Sequence, residues 1–182
     1  MKYKALFLDV DGTLVVHGVN NLPTQNVASA IAKCKRKNIA VCLATSRPLH
    51  AVLAIIEHLD LSGYCVLHSG TQIYDPRKKK IIIEKMFPKD VMHIISAVAK
   101  EFHIELKVFD GKKEVLYDGI HPPQKVVGMY FPELTSDLVQ TIQKKLESLP
   151  EVSVHRMPAW DERFECLDIT RKDASKLHGI IG

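Results

Sequence analysis

Along the first part of the chain, short unbroken apolar runs alternate with apolar stripes at helical spacing. Ala5 to Val10 is a run of buried-strand length that ends in Asp9, Asp11 and Gly12, the pattern of a parallel strand opening into a loop at its carboxyl end. Pro23 to Lys37 predicts an amphipathic helix, with Val27, Ile31 and Cys34 on one face, Pro23 in the first turn, and Lys33, Lys35, Arg36 and Lys37 at the negative pole of the dipole. Ile39 to Ala44 predicts a second strand, Pro48 to Leu59 a second helix and Tyr64 to Leu67 a third strand. This alternation predicts an α/β fold built on a doubly wound parallel sheet, with ligands held beyond the carboxyl ends of its strands.

After Gly70 the rhythm changes. Thr71 to Tyr74 and Lys80 to Glu84 predict a hairpin, and Asp90 to Phe102 a helix with Val91, Ile94, Ile95, Val98 and Phe102 on its apolar face. Ile104 to Phe109 and Glu114 to Tyr117 flank Asp110-Gly111, a strong hairpin signal. Strands are expected at Val126 to Phe131, Val152 to His155 and Phe164 to Ile169, and helices at Leu134 to Leu149 and from Asp173 onward. Helix-strand-strand followed by strand-helix-strand-strand is an α+β module. We therefore expect residues 1–85 and 167–182 to form one domain and 86–166 a second one inserted into it.

Composition narrows the class of protein. Hydrophobic residues make up 46% and charged residues 25%, which excludes a disordered or low-complexity chain. The formal net charge of +4 is spread along the sequence, so no nucleic-acid partner is expected. Its one basic run, Arg77 to Lys80 after Asp75-Pro76, reads as a solvated hairpin turn. Cys34, Cys42, Cys65 and Cys166 form no C-x-x-C pair and sit in apolar stretches, as reduced core thiols do. With no signal-peptide pattern and no apolar run of spanning length, no membrane association and a cytoplasmic location are expected.

The residues richest in chemistry are Asp9-Val10-Asp11-Gly12-Thr13. Two carboxylates so close raise one another's pKa unless something compensates them. A divalent cation would do so, and Mg²⁺ takes a few hard oxygen ligands from protein and the rest from water and phosphate. A carboxylate placed there can also attack a phosphoryl group, while Gly12 lets backbone N–H groups approach phosphate. The plainer reading is a polar turn that ends a strand. Further on, Thr45 and Ser46 precede the helix begun by Pro48, where N–H groups favour an anion, and both also suit the role of N-cap.

On these residues the sequence resembles the haloacid dehalogenase superfamily of phosphohydrolases, whose first motif is a hydrophobic strand followed by D-x-D-G-T. The resemblance implies a Rossmann-like core, Mg²⁺ as cofactor and a phosphate ester as substrate. It also implies that Asp9 is nucleophile and metal ligand, and that Asp11 is general acid/base and lends its backbone carbonyl to the metal. Gly12 and Thr13 would support the phosphate loop. Val41 to Pro48 resembles the second motif, with Thr45 donating to a phosphoryl oxygen beside Ser46. Within the superfamily the chain is similar to the Cof-like, type IIB cap branch, with Ser46 where that branch has Gly in A-T-G-R and Ser69-Gly70-Thr71 in place of N-G-A. Arg47 is then a candidate substrate contact, and the α+β module corresponds to the branch's cap. Leu167 to Lys176 resembles the strand-turn-S-K-G segment, which makes Lys176 the third-motif lysine.

The family's fourth motif, an acidic metal-binding loop, would follow Lys176, so the core is expected to be incomplete at its C-terminal side. The strand at Ala5 to Val10 would then show an open apolar edge. Either a further segment of the polypeptide or a second copy in a homo-oligomer is expected to cover it, and the 182-residue chain alone to bind Mg²⁺ weakly, turn over slowly and associate.

Other candidates rank lower. His50 and His58, or His93 and His103, lack the i, i+4 spacing of a zinc pair. Trp160 and Arg163 lie between two strands of the second module, where they could grip a leaving group or simply pack in a hairpin connection. The leading expectation is a Mg²⁺-dependent phosphatase of small phosphorylated metabolites, sugar phosphates by resemblance. The alternative is a catalytically impaired phosphate- or partner-binding module. A phosphoacceptor receiver domain is disfavoured, because His68-Ser69-Gly70 stands where its acceptor Asp would be.

Overall fold

A computed structural model describes residues 3–16, 22–121, 123–159 and 161–181. The chain divides into two compact units, Met1–Glu84 with Ala174–Gly182, and Lys85–Asp173. The second boundary falls at Asp173, seven residues beyond the expected 166, because the last strand of the second unit pairs continuously through Arg171.

In the first unit, β1 (Ala5–Leu8) pairs in parallel with β2 (Ala40–Leu43), and α1 (Gln25–Arg36) supplies the crossover. Thr24 caps α1, its hydroxyl accepting from the Val27 N–H at 3.5 Å. α2 (Leu49–His58) leads to β3 (Cys65–Leu67), which continues the parallel arrangement through a bridge between Ala44 and Val66. β3 then pairs antiparallel with β4 (Gln72–Asp75), and β4 with β5 (Lys80–Glu84), so the sheet is parallel at the end that carries Asp9 and antiparallel beyond it. Val10, Leu43, Val52, Ile55 and Leu67 fill the core between these strands and helices. Among the described residues no strand pairs with the other side of β1, where Leu6 is 37% exposed. The basic run forms the β4–β5 turn as expected, with Asp75 Oδ1 accepting from the Arg77 and Lys78 N–H groups.

The second unit holds α3 (Lys89–Glu101), β6 (Lys107–Phe109), β7 (Glu114–Leu116), β8 (Gly128–Leu134), α4 (Ser136–Glu147), β9 (Val152–Pro158) and β10 (Glu165–Arg171). Its five strands form an antiparallel sheet in the order β7-β6-β8-β10-β9. Ile95 of α3 and Ile142 and Leu146 of α4 are fully buried with Met129, Phe131, Leu167 and Ile169 of the sheet. β8 runs three residues past the expected Phe131: the register with β10 shifts beside Pro132, so the proline sits at a bulge where no ladder N–H is required. Asp110 makes the β6–β7 turn, its Oδ1 accepting from the Lys112 and Lys113 N–H groups, and these bonds lower its pKa. Among the described residues no helix is long and apolar enough to cross a membrane.

All four cysteines are free thiols. Burial pushes the Cys65 thiol from the ordinary 9.0 to about 12 and also raises Cys42. Only the thiolate reacts, so Cys65 should resist iodoacetamide at pH 8 in the folded protein and label rapidly in urea, as read by peptide mass spectrometry. Because the neutral thiol is favoured by folding, its contribution to stability is present below pH 9 and lost as pH rises toward about 12. Urea midpoints measured across that window should fall.

Candidate active site

β1 ends at Leu8, and the next residue, Asp9, is half-exposed at the mouth of the strand. The chain then turns back at once: the N–H groups of Thr13, Leu14 and Val15 all converge on the Val10 carbonyl, at 3.3, 2.9 and 3.1 Å, and the Gly12 N–H donates to Val15 O at 3.0 Å. Gly12 permits this turn with φ 70°. The expected phosphate contacts at Gly12 and Thr13 are therefore not open amides in this conformation, since both N–H groups are spent inside the loop.

Asp9 is held from two sides. Its Oδ1 accepts from the Val10 N–H at 2.8 Å and faces Lys176 Nζ at 2.9 Å. Lys176 opens α5 (Lys176–Ile181), more than 160 residues away in sequence, and is the only cation paired with Asp9 among the described residues. Asp11 is clamped by a different segment: Arg47 forks onto it, Nε to Oδ2 at 3.0 Å and Nη2 to Oδ1 at 2.6 Å. Such a bidentate pair fixes both planes and favours the ionised carboxylate. The same bonds raise the guanidinium pKa against the opposing effect of burial. Arg47, expected as a substrate contact, is thus occupied by Asp11.

Thr45 is fully buried at the end of β2, and its Oγ1 accepts from the Arg47 N–H at 3.1 Å, which leaves the hydroxyl's own proton for another acceptor. The N-cap of α2 is Pro48, with no side-chain hydrogen bond, so neither Thr45 nor Ser46 caps that helix. Thr45 instead braces the Arg47 backbone just upstream. Ser46 is half-buried beside it.

A run that the sequence marked only by its departures from family patterns ties these pieces together. His68, Ser69 and Gly70 take φ of 48°, 55° and 97° in succession. This left-handed turn lets the Ser69 N–H reach Thr45 O at 3.2 Å and the His68 N–H reach Arg47 O at 3.0 Å. On its other side Gly70 lies against Ser175, where an added Cβ would come 2.7 Å from the Ser175 nitrogen. Ser175 in turn starts α5, its Oγ accepting from the His178 N–H at 3.1 Å and its carbonyl from the Gly179 N–H at 2.9 Å. The turn therefore places the Thr45–Arg47 segment and the Lys176 helix against the same strand ends. The signal in sequence was a glycine after a buried strand, and Gly70 alone did not disclose its partner.

Two further expected residues, Trp160 and Arg163, fall in the sequence span of the second unit. Arg163 belongs to the second unit, where it is exposed and forks onto Asp161, Nη2 to Oδ2 at 2.6 Å, as a hairpin connection would. Trp160 lies outside the described residues. Asp9 and Asp11 offer hard oxygens, but among the described residues no group of three His, Cys, Asp or Glu side chains gathers as a metal cage.

Comparisons with known proteins bear on the family and the fold. A family model for haloacid dehalogenase-like hydrolases matches residues 6–137. A provisionally named phosphatase of Streptococcus pyogenes serotype M6 is 21% identical over 133 residues, covering 71% of this chain and 46% of its own length. The chain thus spans about half of that curated relative. Among solved structures, a phosphatase of the haloalkanoate superfamily from Bacteroides thetaiotaomicron matches with TM-score 0.80 and 19% identity, over 98% of this chain and 70% of that one. A haloacid dehalogenase-like hydrolase from the same organism gives 0.78 and 17%, over 98% and 75%. A subclass IIB sugar phosphatase gives 0.74 and 19%, over 97% and 73%.

The two left-handed glycines separate strain from crowding. Gly12→Ala meets nothing within 4 Å and should cost only the conformational penalty, roughly 1–2 kcal/mol. Gly70→Ala carries that penalty and also collides with the Ser175 backbone, so its loss in urea denaturation should be clearly larger. Equal losses would show that Gly70 does not set the position of α5.

Proposed function

We propose a defined chemistry on one settled premise: the chain belongs to the haloacid dehalogenase-like hydrolase family. The chemistry is Mg²⁺-dependent hydrolysis of small phosphorylated metabolites, sugar phosphates foremost, through an aspartyl-phosphate intermediate. The observation that carries this reading is the pair of carboxylates at the end of β1, each matched by a cation from its own distant segment, Asp9 by Lys176 and Asp11 by Arg47. A polar turn that merely ended a strand would need neither cation. The fold likeness to a subclass IIB sugar phosphatase points to the substrate class.

The donor set fits magnesium, which binds through one or two carboxylates and otherwise keeps water and phosphate. Asp9 and the main-chain carbonyl of Asp11 would hold it, since the Asp11 carboxylate is committed to Arg47. The ion supplies charge neutralisation for the transferring phosphoryl oxygens.

The residues then divide the work. Lys176 and the Val10 N–H fix Asp9 through Oδ1, while Oδ2 takes no hydrogen bond among the described residues and can face phosphorus. Attack by Asp9 forms the new oxygen–phosphorus bond as the ester oxygen departs, and Asp11 gives that alkoxide its proton. Water then attacks the acyl phosphate, Asp11 takes its proton, and inorganic phosphate leaves with Asp9 restored. The Arg47 fork favours the ionised form of Asp11, which suits the second step, so donation in the first requires the fork to loosen. Thr45 and Lys176 stabilise the phosphoryl oxygens.

With p-nitrophenyl phosphate and Mg²⁺, Asp9→Asn should lower turnover by about a thousandfold or more, with circular dichroism unchanged. Lys176→Met should lower it by about a hundredfold. Chelation by EDTA should abolish activity and excess Mg²⁺ restore it. Full activity in Asp9→Asn would remove the nucleophile assignment. Binding of a phosphate mimic by the wild type without any turnover would favour the alternative of a non-catalytic phosphate-binding module.

A further inference from the structure

The first unit carries a surplus of positive charge that its carboxylate site does not use. It holds twelve basic and six acidic residues, a net of +6 against +4 for the whole chain. Asp9, Asp11, Arg47 and Lys176 cancel among themselves, so the surplus belongs to other parts of the unit. Along the sequence these charges are spread, and on that ground no nucleic-acid partner is expected. Folding gathers them.

Two basic segments meet at one short loop. Lys33 to Lys37 ends α1, and Lys35 Nζ donates to both the carbonyl and the carboxylate of Asp60. Arg77 to Lys80 makes the β4–β5 turn, and Arg77 Nε donates to the Ser62 carbonyl at 2.9 Å. Asp60 and Ser62 are two residues apart, a span of at most about 7 Å, so segments distant in sequence are drawn to one place. Lys4 joins them at the amino end of β1, its carbonyl accepting from the Ala40 N–H at 2.9 Å. The charges thus collect at the amino ends of the parallel strands, whereas Asp9 follows the carboxyl end of β1.

Few acids answer them. Against nine basic residues this end has Glu57, Asp60 and Asp75. Asp60 pairs with Lys35, and the buried Asp75 carboxylate lies 3.7 Å from Lys78 Nζ. Lys33, Arg36 and Lys37 share one face of α1; they, Lys79 and Lys80 are exposed and form no ion pair among the described residues. The helix dipole favours lysines at the end of α1 and solvent favours a charged turn, but neither draws both to one loop.

An aromatic stands beside the charges. Tyr64, two residues beyond Ser62, is 52% exposed. Closely spaced cations attract a backbone of regular phosphates, and an exposed ring offers a face on which a base can stack. The exposed aliphatics Ile82 and Ile83 belong to β5, which leads away from this end, so they form no apolar wedge among the charges for a bilayer.

We propose that this end of the first unit binds single-stranded nucleic acid, its phosphates on the two basic segments and a base on Tyr64. The surface is independent of the hydrolytic reading.

The test is fluorescence anisotropy of a fluorescein-labelled oligouridylate of about twenty nucleotides with the full chain. Binding should be micromolar at about 50 mM salt and weaken about a hundredfold by about 200 mM, as some five released counterions require. Arg36→Gln with Lys37→Gln, and Lys79→Gln with Lys80→Gln, should each lower affinity about tenfold with circular dichroism unchanged. Lys112→Gln with Lys113→Gln makes the same change of net charge in the second unit and should leave affinity within about twofold. Tyr64→Ala should weaken binding about fivefold or more. No anisotropy change at low salt, an equal loss from the Lys112 and Lys113 pair, or unchanged affinity in Tyr64→Ala would each overturn the assignment. Phosphatidylserine vesicles held by the wild type and lost by the two basic-segment pairs, with the RNA unbound, would assign the surface to an anionic membrane instead.

Discussion

Two carboxylates separated by one residue at the end of a strand repel each other, and the first unit is arranged around relieving that repulsion. β1 delivers Asp9 and Asp11 to the same rim, and each must find a cation there. Neither cation can come from the loop itself, because Val10 to Val15 is folded back onto the Val10 carbonyl and contains no basic residue. Arg47 therefore arrives from the segment after β2, and Lys176 from the start of α5. The parallel pairing of β1 with β2 brings the first into range, since in a parallel pair both carboxyl ends emerge on one side.

Bringing the second cation takes a less regular device. α5 has six residues and none of its side chains is buried, so packing of its own apolar face contributes little to fixing Lys176. What holds it is contact through backbone: Gly70 against Ser175, and Gly179 against Val66 of β3, where an added Cβ would overlap the valine. Two glycines let a short helix approach a strand more closely than side chains would allow. The cost is a run of three left-handed residues at His68 to Gly70, two of which are not glycine. That strain is balanced by hydrogen bonds from the same run to Thr45 and Arg47, so the turn that positions Lys176 also positions the residues beside Asp11.

How much of this could be read in sequence follows from how local each cause is. Apolar period and turn chemistry are local, and α1, α2, α3 and the Asp75 and Asp110 turns lie within a few residues of expectation. The strand expected to end at Phe131 runs on through Pro132 because the bulge that makes a proline harmless there is set by the partner strand β10. The limits of the second unit depended in the same way on pairing, here of β10 with β9 through Arg171. At the site, the motif residues Asp9, Asp11, Thr45 and Lys176 could be named because their order along the chain is characteristic. Their connections could not. That Arg47 would spend its guanidinium on Asp11, or that the Gly12 and Thr13 amides would close on their own loop, depends on distances that no spacing in one dimension encodes.

The pairing of charges also bears on what the site can hold. Asp9 with Lys176 and Asp11 with Arg47 sum to no net charge, so the four groups satisfy one another before any ligand arrives. A site built chiefly to trap an anion would leave its cations in excess, as clusters of arginine do around phosphate. Here a phosphate dianion would meet a neutral rim whose carboxylates repel it as strongly as its cations attract it. On the hydrolytic reading, binding therefore has to come with added positive charge or with release of Arg47 from Asp11. Added charge leaves both pairs in place, whereas the second change moves the Asp11 fork and not the Asp9 contact. The exposure of the two pairs agrees with this: Arg47 and Asp11 are the more enclosed, and a bidentate clamp in a partly enclosed place gives a sharper choice between two arrangements than the single contact of Lys176 with Asp9.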